Sequence, residues 1–566
     1  MPEQEHFDAV VIGSGFGGSV MTWRLGEAGK RVCLLERGKR YPPGSFARSP
    51  IEMRDNFWDP SESKYGLFQI WRFGDIDGVV SAGLGGGSLI YANVFLRKDE
   101  RWFYRREPGG GTTPWPVNRS DLEPHYDNVE AVIGLQQFPF DKVPYSSTPK
   151  TIALSSAAAN TGTEWFTPPL AVTFGDPVEQ PVPGEPIKDA GGSTTNNIHG
   201  RTRSTCRLCG ECDLGCNYGS KNTLDYTYLT LANRLANVEI RDLCEVQTFA
   251  PRPGGGFSVS YRRHDPEAGP GAVSSVEVTC DKLVLSAGTF GTAYLLLKNA
   301  ANFRGLSQRL GEYFSGNGDY LGLFLDAKDE VAGTTAPRLL APSHGSVITS
   351  TVRVPDIDDP GGTGPGFYIQ DGGYPGFVDW LVESSNLGGE LHRALRFIGH
   401  DVLGWIRHHD DSDIDDQLEA LIGDAHSSSS ILPVLGMGLD TPGGKFSLSR
   451  DSHPQLELDW SASNSQEYFD AVKGKMRELA ENLGARFLED PLSHLHNKVV
   501  TVHALGGCSM GDSIENGVVD TYGEVFAFPG FFIADGSVMP GPVGPNPSFT
   551  IAALSDRFAD RALGLV

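Results

Sequence analysis

The chain begins with a short apolar run that ends in a glycine-rich turn. In "FDAVVIGSGFGGSVMTWRLGEAGKRVCLLERG", the residues Val10, Val11 and Ile12 predict a buried strand. The pattern after the turn predicts a helix, and "RVCLLE" predicts a second strand that ends in Glu36. This order of strand, turn, helix and strand is typical of a βαβ unit in a parallel sheet.

The turn fits the spacing G-x-G-x-x-G at Gly13, Gly15 and Gly18. The first glycine allows the tight turn, and the second lets a pyrophosphate approach the backbone at the helix N-terminus. The third lets helix and strand pack closely, and Glu36 stands where an acid accepts hydrogen bonds from a ribose. The segment therefore predicts dinucleotide binding, and it does not separate FAD from NAD.

Three later segments combine apolar runs with small residues. Residues 81–96, "SAGLGGGSLIYANVFL", predict a loop whose backbone N–H groups converge on an anion or a flat ring. Residues 282–299 read as a buried strand, a turn and a helix. Residues 531–563 predict a strand that ends in Asp535 and Gly536, then a proline-rich loop and a C-terminal helix.

Length and charge narrow the class of protein. A chain of 566 residues predicts two or more domains. Its formal net charge of −24 disfavours binding to nucleic acid or to anionic lipid headgroups. No run approaches the roughly 20 apolar residues of a membrane helix, and the N-terminus does not resemble a secretory signal. We expect no transmembrane segment and a cytoplasmic address, with peripheral attachment to a membrane left open.

Four of the eight cysteines stand close together in "CRLCGECDLGC", at Cys206, Cys209, Cys212 and Cys216. The spacing C-x2-C-x2-C-x3-C is that of bacterial ferredoxins and predicts an iron–sulfur cluster. Because the chain has one such run, a three-iron cluster on Cys206, Cys212 and Cys216 and a four-iron cluster on all four both remain open. Two alternatives are a zinc site and a loop of reduced or disulfide-bonded cysteines.

The segments "GGGSLIYAN", "KNTLDYTYL", "GTFGTAYLLLK", "HALGG" and "NPSFTIAAL" occur in this order. With them the chain resembles the glucose–methanol–choline (GMC) oxidoreductase family, and within it the cholesterol-oxidase-like branch. The resemblance implies FAD and an α/β fold (α+β overall): a doubly wound Rossmann-type FAD domain, and a substrate domain whose antiparallel sheet covers the flavin. We expect 1–130, 195–318 and 485–566 in the FAD domain, and 131–194 and 319–484 in the substrate domain.

The resemblance also implies which residues contact FAD. They fall in the first turn, at the end of the second strand, in the second glycine loop, in "CEVQTF" and after the last strand. These residues are Gly13, Gly15, Gly18, Glu36, Gly86, Gly87, Asn93, Val246, Asp535 and Gly536.

Two residues are predicted to carry the chemistry. His503 ends the apolar run of "VVTVHALGG", and a neutral histidine suits removal of a hydroxyl proton. Asn546 lies in the proline-braced turn "GPNPSFT", a rigid mount for a hydrogen-bonding amide. In the cholesterol-oxidase-like branch a histidine and an asparagine occupy these positions beside the flavin. The resemblance implies oxidation of an alcohol to a carbonyl by hydride transfer to flavin N5.

The substrate is expected to be a hydrophobic alcohol: a sterol, a terpenoid or a long-chain alcohol. Residues 390–409 predict an amphipathic helix that is either a substrate lid or an ordinary core-facing helix. Its apolar side comprises Leu391, Leu395, Phe397, Ile398, Val402, Leu403 and Trp405. The branch also places an acidic residue near the substrate, and the sequence does not identify its equivalent.

A cluster in the cysteine loop would carry electrons from reduced flavin to an external acceptor protein, which makes the chain a dehydrogenase. The alternatives are an oxygen-using oxidase and isomerase of the cholesterol-oxidase type without a cluster, and a flavin isomerase or lyase with no net redox change.

Overall fold

The computed structural model describes residues 5–48, 52–53, 55–269, 271–331, 333–373, 430–489 and 498–566. The predicted helix at residues 390–409 lies outside these ranges. Within them the α-helices are Phe16–Glu27, Arg119–Ile133, Pro149–Asn160, Tyr228–Ala232, Gly288–Asn299, Gln466–Asn482 and Ser548–Leu563.

A seven-stranded sheet contains the predicted βαβ unit. Five of its strands are parallel, in the spatial order Val238–Arg241, Val32–Leu35, His6–Ile12, Val273–Leu285 and Phe531–Ile533. In chain order this is 3-2-1-4-5, the doubly wound order of nucleotide-binding sheets. The hairpin of Cys244–Pro251 and Phe257–His264 adds an antiparallel edge along the first half of the longest strand. The predicted Rossmann-type sheet is confirmed.

The first strand is apolar throughout because both of its neighbours and both faces of the sheet cover it. Val11 is fully buried and pairs with Leu34 on one side and with Val284 on the other. The helix Phe16–Glu27 follows the turn and buries Val20 in the same core. Continuous apolar runs of this kind are typical of central parallel strands.

The C-terminal helix Ser548–Leu563 packs against two helices of the same layer. Its Asp556 forms an ion pair with Arg24 and accepts a hydrogen bond from the ring of His125 at 2.7 Å. The helix begins directly after the turn that carries Asn546, so this packing anchors the turn from one side.

A second sheet has six strands, and every adjacent pair is antiparallel. Their spatial order is Glu164–Phe166, Thr351–Val354, Phe367–Asp371, Leu432–Gly438, Tyr320–Leu325 and Arg486–Glu489. The helix Gln466–Asn482 turns Phe469, Val472, Met476 and Leu479 inward at helical spacing. The predicted antiparallel sheet is therefore present, and it extends a few residues past the predicted boundary at 485.

A three-stranded sheet connects the two regions through Phe68–Arg72, Ile76–Ser81 and Val499–Thr501. Short two-stranded pairs complete the described strands: Gln136–Gln137 with Pro169–Leu170, Lys328–Val331 with Thr334–Pro337, Lys445–Leu448 with Leu456–Asp459, Trp58–Asp59 with Lys64–Tyr65, and Tyr104–Arg106 with Thr112–Pro114. Among the helices of the described ranges, none is long and apolar enough to cross a membrane.

Candidate active site

The first glycine turn lies where the parallel sheet reverses its strand order. Gly13 has a φ of +96°, and a methyl group there would overlap the carbonyl oxygen of Ser286. A methyl group on Gly18 would overlap the carbonyl oxygen of Gly13. One on Gly15 would meet no atom of the described chain within 4 Å. The fold itself thus requires Gly13 and Gly18, whereas the open space at Gly15 fits a diphosphate.

The second glycine-rich loop packs directly on this turn. A methyl group on Gly86 would lie 2.6 Å from the Cα atom of Gly15. The backbone N–H of Gly85 donates to the hydroxyl of Ser14 at 2.9 Å. Gly87, like Gly15, has open space in place of a side chain. The two predicted cofactor loops therefore meet.

Glu36 reaches the same turn from the end of the second strand. Its carboxylate accepts hydrogen bonds from the N–H of Ser14 at 3.0 Å, from the Ser14 hydroxyl at 2.6 Å and from the N–H of Gly38 at 2.8 Å. Burial raises the pKa of the Glu36 carboxyl, and these three donors oppose that rise. Besides its predicted contact with a ribose, Glu36 therefore holds the turn in shape.

Asp535 also connects separate backbone segments through hydrogen bonds to its carboxylate. One carboxylate oxygen accepts from the N–H of Gly288 at 3.0 Å and from the Thr292 hydroxyl at 2.5 Å. The other accepts from the N–H and hydroxyl of Ser537. Gly536 follows and its carbonyl accepts from Gly506 N–H at 3.0 Å. Asp535 thus joins the start of a helix to the final loop at the edge of the cofactor region.

Asn93 gives the clearest sign of a missing partner. It is fully buried with a φ of +71°, and neither amide atom has a hydrogen-bond partner among the described residues. An unpaired buried amide costs about 1–3 kcal/mol, so a bound group is the expected partner. Together with the open space at Gly15 and Gly87, this fits FAD. Val246 lies in the antiparallel hairpin and is 7% exposed. Its contact with the adenine of FAD stays a prediction.

His503 follows the strand Val499–Thr501 and points its ring at a buried carboxylate. Its Nδ1 atom lies 2.7 Å from Oδ1 of Asp319, whose side chain is 1% exposed. The other oxygen, Oδ2, accepts from the Thr501 hydroxyl and from the N–H groups of Val502 and His503 at 2.9–3.1 Å. Asp319 therefore fixes both the backbone and the ring of His503.

The turn that carries Asn546 is held by Asn317. Oδ1 of Asn317 accepts from the N–H groups of Val543 and Gly544 at 2.9 and 3.0 Å, and Nδ2 donates to the carbonyl of Pro545 at 3.1 Å. Asn317 stands two residues before Asp319, so a single short segment holds both predicted catalytic residues. The structure therefore brings the turn that carries Asn546 and the segment that carries His503 to the same short stretch of chain.

Lys98 also stabilises the turn that carries Asn546. It is fully buried, and its ammonium group donates to the carbonyls of Pro542 and Val543 at 2.8 and 3.0 Å. The group also lies 4.3 Å from the ring centre of Trp115, a cation–π contact. Burial lowers the pKa of Lys98 well below its ordinary value. These contacts, with the prolines, keep the Asn546 turn rigid.

Two further residues contact the predicted catalytic side chains, and the sequence did not reveal either. Asp319 contacts His503, and Gln370 donates from Nε2 to Oδ1 of Asn546 at 2.9 Å. Gln370 is fully buried in the strand Phe367–Asp371. A polar residue next to the apolar run Phe367–Ile369 was the one available signal for it.

Asp440 adds a second buried carboxyl beside Asp319. Its Oδ1 accepts from the Ser315 hydroxyl at 2.5 Å. Burial raises the pKa of Asp440 from 3.8 to about 7, and the negative charge of Asp319 adds to that rise. Below neutral pH, Asp440 is therefore a mostly protonated acid.

This raised pKa predicts a pH-dependent stability. The unfolded chain loses the Asp440 proton near pH 4, whereas the folded protein keeps it until about pH 7. The contribution of this group to stability should thus fall as the pH rises through that window, by up to ~4 kcal/mol. We expect Asp440→Asn to match the wild type in thermal unfolding at pH 4 and to unfold at a higher temperature at pH 8. Equal shifts at both pH values would contradict the assignment.

The cysteine loop encloses a small cavity. Cys206, Cys209, Cys212 and Cys216 all line it, together with Lys221, and its volume is about 20 Å³. That is room for about one water molecule. None of the eight cysteines, all of which are described, is disulfide-bonded.

Each of these four sulfurs receives one backbone N–H group. Leu208 donates to Cys206 at 3.5 Å and Ser220 to Cys216 at 3.3 Å, while Cys209 and Cys212 accept from Glu211 and Val347, respectively. Such bonds suit a thiolate, but burial raises the pKa of the Cys206, Cys209 and Cys212 thiols.

The predicted iron–sulfur cluster is not supported by this arrangement. In the described part of the chain, no three or more His, Cys, Asp or Glu side chains are grouped to hold a metal ion. The described residues fit the alternative of reduced cysteines, and we derive no electron path through them.

Two family models match the chain. Both carry the description GMC oxidoreductase, and they cover residues 8–312 and 450–555. The first includes the βαβ unit, the second glycine loop and the cysteine loop, and the second includes His503 and Asn546.

Similar proteins agree with this. A cholesterol oxidase of Mycobacterium tuberculosis is 29% identical over 98% of this chain and 90% of its own length. A cholesterol oxidase of Acinetobacter baumannii is 26% identical over 97% of this chain and 93% of its own. The solved structure of a formate oxidase of Aspergillus oryzae, 15% identical, matches the fold over 100% of this chain and 99% of its own with a TM-score of 0.60. The chain therefore belongs to the GMC oxidoreductase family and is an FAD-dependent oxidoreductase acting on alcohols.

Proposed function

We propose that the chain oxidises a hydroxyl group of a hydrophobic alcohol to a carbonyl, with His503 as the acid–base group and Asn546 as a hydrogen-bonding group for the substrate oxygen. The observation that carries this proposal is the segment 315–319, which holds the His503 ring through Asp319 and the Asn546 turn through Asn317. A rigidly held acid–base group together with a hydrogen-bonding amide is what alcohol oxidation requires.

The chemistry divides between cofactor and protein. FAD, when bound, supplies the hydride acceptor. Gly15, Gly87 and Asn93 would hold it, as their open space and unpaired amide indicate. The imidazole of His503 takes the hydroxyl proton, which makes the carbon–hydrogen bond of the alkoxide carbon easier to break. Asn546 keeps the oxygen in place while the carbon becomes trigonal.

The hydrophobic class of the substrate is proposed from the relatives. The two relatives described above are named cholesterol oxidases and match nearly the whole chain. A sterol is therefore the first substrate to test, with a terpenoid and a long-chain alcohol next. Oxygen is the proposed electron acceptor, since both relatives are named oxidases.

The test is to mix purified holoenzyme with each alcohol in the absence of oxygen. We expect the visible absorption band of oxidised flavin to bleach fastest with a sterol and more slowly with a terpenoid or long-chain alcohol. Gluconate, a polar hydroxy acid, serves as the hydrophilic comparison and should not bleach the band. Admitting oxygen should restore the band and release hydrogen peroxide. Preferential bleaching by gluconate would overturn the substrate class. Failure of oxygen to restore the band, or stoichiometric iron in the protein, would overturn oxygen as the acceptor.

A further inference from the structure

The two predicted catalytic side chains each face a partner that determines their hydrogen-bonding state. We propose that Asp319 and Gln370 are positioning residues: Asp319 keeps Nε2 of His503 as a bare acceptor, and Gln370 keeps Nδ2 of Asn546 as a free donor. The inference rests on the proposed function, because it assigns which atom of each side chain meets the substrate hydroxyl.

The geometry around Asp319 leaves one choice for the histidine proton. Oδ2 of Asp319 is occupied by three donors, the Thr501 hydroxyl and the N–H groups of Val502 and His503. Oδ1 faces Nδ1 of His503 at 2.7 Å. Because an ionised carboxylate only accepts hydrogen bonds, the proton of the neutral ring must lie on Nδ1. Nε2 then carries the lone pair that accepts the substrate proton.

Gln370 contacts the amide of Asn546, and its own Oε1 has no hydrogen-bond partner among the described residues. Its Nε2 donates to Oδ1 of Asn546 at 2.9 Å and lies 3.3 Å from the Thr351 hydroxyl. Both partners lie deep in the protein, and Gln370 itself is fully buried. With its oxygen engaged in this way, Asn546 has its NH₂ group left to donate to a ligand.

One acceptor and one donor match the two halves of a hydroxyl group. The hydroxyl hydrogen points to Nε2 of His503, and the hydroxyl oxygen accepts from Nδ2 of Asn546. When the alcohol is oxidised, the O–H bond breaks and its proton goes to Nε2, while the C–H bond breaks and its hydrogen leaves with the electron pair as a hydride, for which FAD would be the acceptor. The remaining C–O bond becomes a carbonyl, whose oxygen still accepts from Asn546.

Asp319→Asn tests the first half of the proposal. The amide oxygen of the variant must stay with the three donors, so its NH₂ group faces Nδ1 of His503 and drives the ring proton to Nε2. We expect reduction of bound flavin by a sterol to slow by about 100-fold to 10,000-fold with unchanged FAD content. Asp440→Asn is the control for placing an amide at a nearby buried carboxyl, since Asp440 bonds Ser315 and not His503.

Gln370→Met tests the second half. Methionine has a similar size but no donor, so the Asn546 amide loses the contact that keeps its NH₂ group toward the substrate. We expect a raised substrate KM together with a lowered kcat, because the donor to the hydroxyl oxygen is lost in both the bound alcohol and the transition state. Unchanged KM and kcat in this variant would overturn the role of Gln370.

A spectroscopic measurement separates positioning from simple structural support. In holoenzyme labelled with nitrogen-15 histidine, the signal of His503 is the one lost in His503→Gln. We expect its proton on Nδ1 in the wild type and on Nε2 in Asp319→Asn. A wild-type proton on Nε2 would overturn the role of Asp319, and this result needs no folded Asp319 variant. If no alcohol reduces the wild-type flavin, the proposed function fails, whereas wild-type rates in Asp319→Asn overturn the positioning role alone.

Discussion

Replacing His503 with glutamine should slow the reduction of bound flavin by alcohol about 100-fold or more while the flavin spectrum stays nearly intact. Glutamine keeps the size and polarity of the side chain but cannot take up a proton at neutral pH. Asn546→Ala should have the same direction and a smaller effect, because it removes a hydrogen bond and not the base. Stopped-flow absorbance under anaerobic conditions measures both rates.

His125→Gln is the matched control for this experiment. His125 contacts Asp556 at 2.7 Å, the same distance that separates His503 from Asp319, but it joins two helices of the FAD-binding region. This variant is expected to lose some thermal stability and to keep the wild-type rate of flavin reduction. Near-normal reduction in His503→Gln would remove that residue from the catalytic role.

Gly15→Ala and Gly18→Ala should fail in different ways, although both change the same turn. The methyl group at Gly15 meets no atom of the described chain, so the variant should fold. It enters the space left for the diphosphate, and overpacking of about 1–3 kcal/mol corresponds to roughly 5–150-fold weaker FAD binding. Gly18→Ala should unfold at a lower temperature, because its methyl group overlaps the Gly13 carbonyl oxygen.

The measurement compares FAD content after dialysis with the thermal midpoint of the apoprotein. Gly74→Ala serves as the control, since its methyl group also meets no atom within 4 Å but lies on an exposed loop away from the turn. A Gly15→Ala protein that retains FAD as tightly as the Gly74→Ala protein would show that the diphosphate lies elsewhere.

The nucleotide-binding half of the fold was predictable because its signals are local. Val10 and Val11, the glycine turn and Glu36 lie within about 30 consecutive residues, and one structural motif explains all of them. The open space at Gly15 is the physical counterpart of the second glycine in that motif. Asp535 and the second glycine loop were found in the same way, from a strand followed by small residues.

The partners of the catalytic residues could not be predicted because they are distant in sequence. Asp319 is 184 positions from His503, and Gln370 is 176 positions from Asn546. Neither stands in a motif, and only the antiparallel sheet brings Gln370 to the proline-braced turn. Hydrogen bonds between such positions depend on the complete tertiary fold.

The cysteine loop shows the limit of a local signal. Its spacing predicts an iron–sulfur cluster, but spacing does not report whether the folded side chains are grouped to hold a metal ion, and in the described part of the chain they are not. In the structure the backbone carbonyl of Cys212 in this loop accepts from the buried ammonium group of Lys221. The same ammonium group donates to Leu89 and Tyr91, so the loop supports the second glycine loop.

The most direct test of the proposed oxidation is a single turnover of holoenzyme with a stoichiometric amount of sterol in the absence of oxygen. We expect the oxidised flavin band to disappear and one carbonyl product to form for each flavin reduced. A product that has been isomerised or cleaved while the flavin remains oxidised would contradict the proposed oxidation.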